Sequence, residues 1–185
     1  MPLLFVGSVV LNALFRAFQN RFLRDFLSFR IILKHQLKRL KNNMRFFEQL
    51  HGIYFDDLDL FRVLHNARYP LLIERTIGAF WKKLGWGGLA DLEKNPDQFH
   101  LVRVNHFEYI RAVANVDEVR VRIWVDKLGT TSLTFGFSML PVDQDEPYCT
   151  GYRVLVCIDP HKRQPRPWTD EFRQTVTPYR KDLHN

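Results

Sequence analysis

Residues 118–126 alternate without a break: Val119, Val121, Ile123 and Val125 stand on one side, Arg120, Arg122 and Asp126 on the other. Successive side chains of a strand point to opposite faces, so this segment can bury only one face of a sheet. The pattern returns at 131–140, with Leu133, Phe135, Phe137 and Met139 on one face. It returns again at 150–159, with Tyr152, Val154, Val156 and Ile158, and residues 99–113 read as a strand ahead of them. Turn signals at Ala114-Asn115, Leu128-Gly129 and Asp143 to Pro147 separate the runs. Strands joined this closely pair antiparallel, because a parallel connection needs a crossover of about a dozen residues or more.

A one-sided sheet needs a cover for its apolar face. Upstream, Tyr69, Ile73, Ile77, Phe80 and Leu84 recur at helical steps, and Leu71, Leu72 and Ala79 add further apolar faces, as in a helix enclosed by other structure. Asn66 reads as its N-cap and Gly85 as its stop. Residues 50–56 form a short strand before it, and Asp57 to His65 a loop. The body is therefore α+β, an antiparallel sheet wrapped around one long central helix. Its open edges predict a homodimer or higher homo-oligomer.

Charge divides the chain. Residues 1–48 hold nine of the 27 Lys and Arg and two of the 20 Asp and Glu, which leaves residues 49–185 with eighteen of each and a neutral balance. In the basic part, apolar residues recur with the α-helical period from Leu11 through Phe15, Phe18, Phe22 and onward to Met44 and Phe47. Arg16, Arg24, Lys34, Lys38, Lys41 and Arg45 fall off that stripe. Residues 1–48 thus read as a basic amphipathic helical extension, and 49–185 as the folded domain. The stripe packs on the body or a second subunit, or else the extension lies on an anionic membrane surface, where each Lys or Arg contributes about 1 kcal/mol. Its aromatics sit away from its charges, which argues against nucleic acid. The uncharged residues 1–15 are shorter than a membrane span, which needs about 20, and they lack a signal-peptide pattern; an anchor using them stays a third reading of the arm.

Other chemistries find little support. Cys149 and Cys157 lie on one strand, which disfavours a disulfide and favours a reducing, cytoplasmic setting with at most peripheral membrane contact. The seven His stand at no metal-ligand spacing, so no metal is expected. Neither a Gly-rich phosphate loop nor a G-x-S-x-G elbow is present.

The stretch YFDDLDLFRVLHNARYPLLIER, Tyr54 to Arg75, resembles the opening motif of hotdog-fold acyl-CoA thioesterases of the 4-hydroxybenzoyl-CoA thioesterase type: a D-x-D strand end, a loop, then N-A-x-Y and a helix bearing a Glu. Leu128 to Phe135 is similar to that family's penultimate strand, Gly151 to Asp159 to its last, and Trp168 to Arg173 to its closing short helix. The resemblance spans roughly residues 50–176 and implies hydrolysis of an acyl-CoA thioester, with no cofactor beyond the coenzyme A of the substrate. Two alternatives stay open: an acyl carrier protein thioester as substrate, and a non-catalytic hotdog that binds acyl groups or scaffolds a membrane assembly.

Thioester hydrolysis needs a carboxylate to attack or activate water, and a donor to hold the oxyanion. Asp59 stands where the resemblance implies the catalytic carboxylate. The first amides of the helix, Asn66 to Arg68, would point at the thioester oxygen. Asp57 reads as a structural acceptor sharing a strand face with Asp59 if the chain is extended there, His65 as a group orienting Asp59 or water, and Glu74 as a second candidate base. The loop departs from the common pattern D-x-D-x-x-G-H-V-N-N-A-x-Y: Arg62 replaces the Gly, Val63 the His and His65 the first Asn. Losing a glycine that permits φ > 0 implies another loop path or another substrate entry. Arg103, Arg111, Lys127 and Arg153 are the cations offered to coenzyme A phosphates.

Overall fold

The computed structural model describes residues 45–86 and 95–181. The helical extension read for residues 1–48 lies outside them up to residue 44. Phe47, the last residue of the helical stripe, and Glu48, the last of the extension, instead open β1 (Phe47–Gly52). The strand is shifted from its expected 50–56 because pairing begins early: Phe47 stands opposite Ile123, and its ring meets that of Phe80 at 5.6 Å. A 3₁₀ turn at Phe55–Asp57 then ends the extended run.

Helix α1 (Arg68–Lys83) follows, then β2 (His100–Tyr109), β3 (Glu118–Leu128), β4 (Ser132–Leu140), β5 (Cys149–Asp159), the short β6 (Gln164–Pro165) and α2 (Asp170–Val176). The strands form one antiparallel sheet in the order β1-β3-β4-β5-β2, with β6 on β5. β1 and β2 are thus the two ends of the main path, although the helix connects them in sequence.

Val119, Val121, Ile123 and Val125 of β3 and Leu133, Phe135, Phe137 and Met139 of β4 are all buried. Against them α1 buries Tyr69, Leu72, Ile73, Thr76, Ile77, Phe80 and Trp81. Phe80 meets Phe135 edge-on at 5.7 Å, and burying such a side chain contributes about 3 kcal/mol. The helix stops at Gly85, whose φ of 86° suits a residue without Cβ. There the Trp86 N–H donates to the Trp81 carbonyl and the Gly85 N–H to that of Lys82, which pairs carbonyls that the helix end leaves open.

β5 presents the opposite face from the one its pattern suggests. Cys149, Arg153, Leu155 and Cys157 are buried, whereas Tyr152 is exposed and Val154, Val156 and Ile158 are half-buried. The strand is apolar on both faces, so periodicity cannot choose between them; pairing with β4 does. Leu133 faces Leu155, Phe135 faces Arg153 and Phe137 faces Gly151, and directly opposed residues share a face. Gly151 is required in that register, since a Cβ there would lie 2.0 Å from the His106 carbonyl oxygen and 2.6 Å from Phe137 Cζ.

Candidate active site

The segment between β1 and α1 is built around Asp57 and Asp59, which do not share a strand face because the 3₁₀ turn separates their roles. Asp57 is buried and structural: Oδ2 accepts the Tyr54 N–H at 2.9 Å, Oδ1 lies 3.3 Å from Arg68 Nε, and its carbonyl accepts the His65 N–H at 2.9 Å. Arg68 also donates from Nη2 to the Asp56 carbonyl at 2.7 Å, clamping the loop onto the start of α1.

Asp59 opens a tight reversal. Its carbonyl accepts the Arg62 N–H and its own N–H donates to the Val63 carbonyl, each at 2.9 Å, while Leu58 and Leu64 bridge across the base. The loop is a turn closed by one left-handed residue, a position that glycine normally takes. Arg62 occupies it with φ 59°. Where the family pattern has its glycine, the arginine itself adopts the left-handed conformation. Within the turn, Asp59 Oδ1 accepts the Phe61 N–H at 2.8 Å and the Val63 N–H at 3.3 Å. Oδ2 has no partner among the described residues, so one carboxylate oxygen is pinned and the other open.

The helix start differs from expectation. Its N-cap is Ala67 rather than Asn66, and no side chain of the cap residue bonds to the helix. His65 takes over: Nδ1 accepts the Ala67 N–H at 3.1 Å and its carbonyl accepts the Arg68 N–H at 2.8 Å. Two of the three amides expected to face a substrate are thus spent. The Asn66 N–H has no acceptor among the described residues and lies at an exposed position.

Two clefts meet at this loop and share Asp59 and His65. The larger, about 830 Å³, is walled by Phe55, Leu58, Leu60, Phe61 and Arg62. The second, about 470 Å³, adds Asn66, Tyr69, Tyr109, Ile110 and Arg111. Tyr109 and Ile110 were not legible as site residues; they arrive because the Leu64 N–H donates to Val113 and Val63 bridges to Ala114, zipping the loop against the segment after β2. Tyr69 packs edge-on to Tyr109 at 5.0 Å, and burial pushes its hydroxyl up to about 12, so it stays neutral. Phe55, Leu60 and Phe61 are 93%, 99% and 86% exposed, a concentration of apolar surface that marks a binding region.

Glu74 lines neither cleft. Its carboxylate pairs with Arg153 Nη1, and Arg153, 3% exposed, also donates to Asn105 Oδ1 at 2.6 Å and to the Pro70 carbonyl at 3.2 Å. Arg153 is therefore committed inside the fold and unavailable to a phosphate. Arg111 borders the second cleft, but it donates to the Glu146 and Pro147 carbonyls and covers the Tyr148 ring. Arg103 and Lys127 are exposed. The thiols are free and buried, and burial raises Cys149 to about 12 and Cys157 to about 11, far from nucleophilic readiness. Among the described residues no His, Cys, Asp and Glu cluster could hold a metal ion, and no helix is long and apolar enough to cross a membrane.

Known proteins resemble this chain in sequence or in fold. The chain is 24% identical over 136 residues to the uncharacterized protein YsmA of Bacillus subtilis (strain 168), covering 74% of this chain and 88% of that one. The Staphylococcus aureus protein SAV2348, solved in complex with CoA, superposes with a TM-score of 0.65 at 15% identity, over 74% of this chain and 84% of its own. The 1,4-dihydroxy-2-naphthoyl-CoA thioesterase Slr0204 of Synechocystis superposes with a TM-score of 0.63 at 11% identity, over 72% and 96%. At such identities the likeness concerns the fold, a hotdog-type curled antiparallel sheet. Residues 53–176, the span from the D-x-D loop through α2, match the model of one family, and the chain belongs to the thioesterase-like superfamily.

Proposed function

We propose that the protein hydrolyses an acyl-CoA thioester to a free acid and coenzyme A, with Asp59 as the reacting carboxylate. One observation carries the reading: the open Oδ2 of Asp59 belongs to a residue lining the same cleft as Asn66, whose amide has no acceptor among the described residues. In this scheme the thioester oxygen sits at the Asn66 N–H, where the start of α1 adds a favourable field for developing negative charge. As a base, Asp59 Oδ2 takes a proton from the water that attacks the carbonyl carbon; the carbon–sulfur bond then breaks, and that proton ends on the departing thiolate. As a nucleophile, Oδ2 attacks the carbon and the thiolate leaves; a water then cleaves the resulting anhydride, which releases the acid, restores the carboxylate and supplies the proton to the thiolate. The apolar wall of Phe55, Leu58, Leu60 and Phe61 suits an acyl group. The CoA complex of SAV2348 supports coenzyme A as the carrier.

The test is turnover of acyl-CoA substrates of graded chain length, beside a matched acyl carrier protein thioester, by wild type, Asp59→Asn and Asp59→Ala. The scheme expects the carboxylate's removal to cost about 10²–10⁴-fold in both variants. Equal activity in all three would refute it.

A further inference from the structure

We propose that His65 is a catalytic residue, supplying from Nε2 the second hydrogen bond to the thioester oxygen beside the Asn66 amide. The inference rests on reading the Asp59 cleft as a thioester-hydrolysing site. His65 stands where the family pattern has asparagine, and its ring takes up the helix-start amide: Nδ1 accepts the Ala67 N–H at 3.1 Å. An imidazole nitrogen that accepts carries no hydrogen, so the neutral ring holds its single hydrogen on Nε2. Nε2 has no partner among the described residues, and the exposed ring lines both clefts with Asp59.

The arrangement also explains why a second donor is wanted. The first amides of a helix are ordinarily open to an anion, but here those of Ala67 and Arg68 are consumed by His65 itself. The residue that removes the backbone donors presents a replacement from the far side of its ring. A neutral imidazole donates without giving up its proton, so it can follow charge as it builds on the oxygen and disappears again. An asparagine accepts the same N–H through Oδ1 in the equivalent local turn, and its Nδ2 donors then sit closer to the backbone than an imidazole Nε2 does, short of its reach.

That difference sets the experiment: thioester turnover and thermal melting of His65→Asn, His65→Ala and His65→Gln, beside wild type and Asp59→Asn. A donor role expects His65→Asn and His65→Ala to lose about 10²–10³-fold in kcat with little change in KM. It also expects His65→Asn to melt with wild type and His65→Gln, with its longer amide, to recover part of the rate. A merely structural role expects His65→Asn to match wild type in kcat, and that result, with Asp59→Asn inactive, overturns this inference alone. A wild type that turns over no thioester, or an Asp59→Asn variant as active as wild type, overturns the reading of the cleft and this inference with it.

Discussion

Replacing Arg62 by glycine should stabilise the protein, and the amount follows from the turn geometry. Arg62 sits at φ 59°, held there by its N–H to the Asp59 carbonyl and by the Asp59 N–H to the Val63 carbonyl, both 2.9 Å. A side chain in that left-handed region costs about 1–2 kcal/mol, and glycine relieves it. Glycine also loosens the unfolded chain, which returns about 0.4–1 kcal/mol. The net expectation for Arg62→Gly is a gain of about 1 kcal/mol, or about 2–4 °C in Tm for a chain of this size. Arg62→Ala keeps the strain and removes only an exposed side chain, so it should fall within about 0.5 kcal/mol of wild type. Arg62→Val, branched at Cβ, should be worse than either. Urea unfolding followed by circular dichroism measures all three. Should the glycine variant be no more stable than the alanine variant, the left-handed residue is not a source of strain and the account of the loop fails.

Glu74→Gln should leave kcat unchanged, since Glu74 serves Arg153 and lines neither cleft; Glu74→Ala should cost about 1–2 kcal/mol in urea melts by stripping a partner from a buried guanidinium. A large kcat loss in the glutamine variant would restore Glu74 as a base. At Asp145, burial works to raise the carboxyl, but the charge of Arg122 and hydrogen bonds from Arg120 and Arg122 outweigh it and hold the group below its ordinary 3.8. A depressed carboxylate stabilises the fold above its unfolded value, and that stability is lost as pH falls through the folded one. Asp145→Asn should therefore be less stable at pH 7 and lose less stability than wild type on acidification below 3.8; parallel acid melts would count against the network. Light scattering should find twice the 22.1 kDa chain mass, because β2 ends the main sheet path with Leu101 and Val102 64% and 45% exposed. Leu101→Glu with Val102→Glu should weaken that association at least tenfold, and a wild type monomeric at micromolar concentration would remove the premise.

The fold was legible where one face of a segment was unambiguous. β3 carries valine and isoleucine against arginine and aspartate, so its buried face follows from period alone, and Val119 to Val125 lie inside as the alternation requires. α1 has a glycine to end it, and its apolar steps from Tyr69 to Leu84 keep one period across the interior Gly78. β5 was legible only as a strand: Tyr152, Val154, Val156 and Ile158 are as apolar as the face that is buried, and the choice fell to register with Phe135 and Leu133 across the sheet. That register even places Arg153 inward, with Glu74, Asn105 and Pro70 as its partners. Such a burial depends on three segments meeting and leaves no trace in local spacing. β1 was misplaced for a similar reason, since Phe47 fits a helical stripe and a strand equally well until Ile123 and Phe80 are set beside it.

At the site, the sequence places Asp59 in the loop ahead of α1, and the structure adds the division of labour around it. A carboxylate at the first position of a tight turn is expected to accept amides from its own loop, and Asp59 does so through Oδ1. That bland role and the chemical one are compatible because a carboxylate has two oxygens and the turn uses one. The same holds at His65, whose ring has two nitrogens and whose helix-capping contact takes only Nδ1. Asn66, by contrast, read as the cap through its side chain, contributes an open amide instead, because Ala67 is the N-cap and His65 has taken the capping contact. At Asp59 and His65 local structure uses one polar atom and leaves the other without a partner among the described residues, and Asn66 lines the second cleft with its amide unclaimed. At the two departures from the family pattern, Arg62 therefore takes the left-handed position of the turn and His65 makes the capping contact, and in the scheme proposed above His65 changes which atoms remain to meet a substrate.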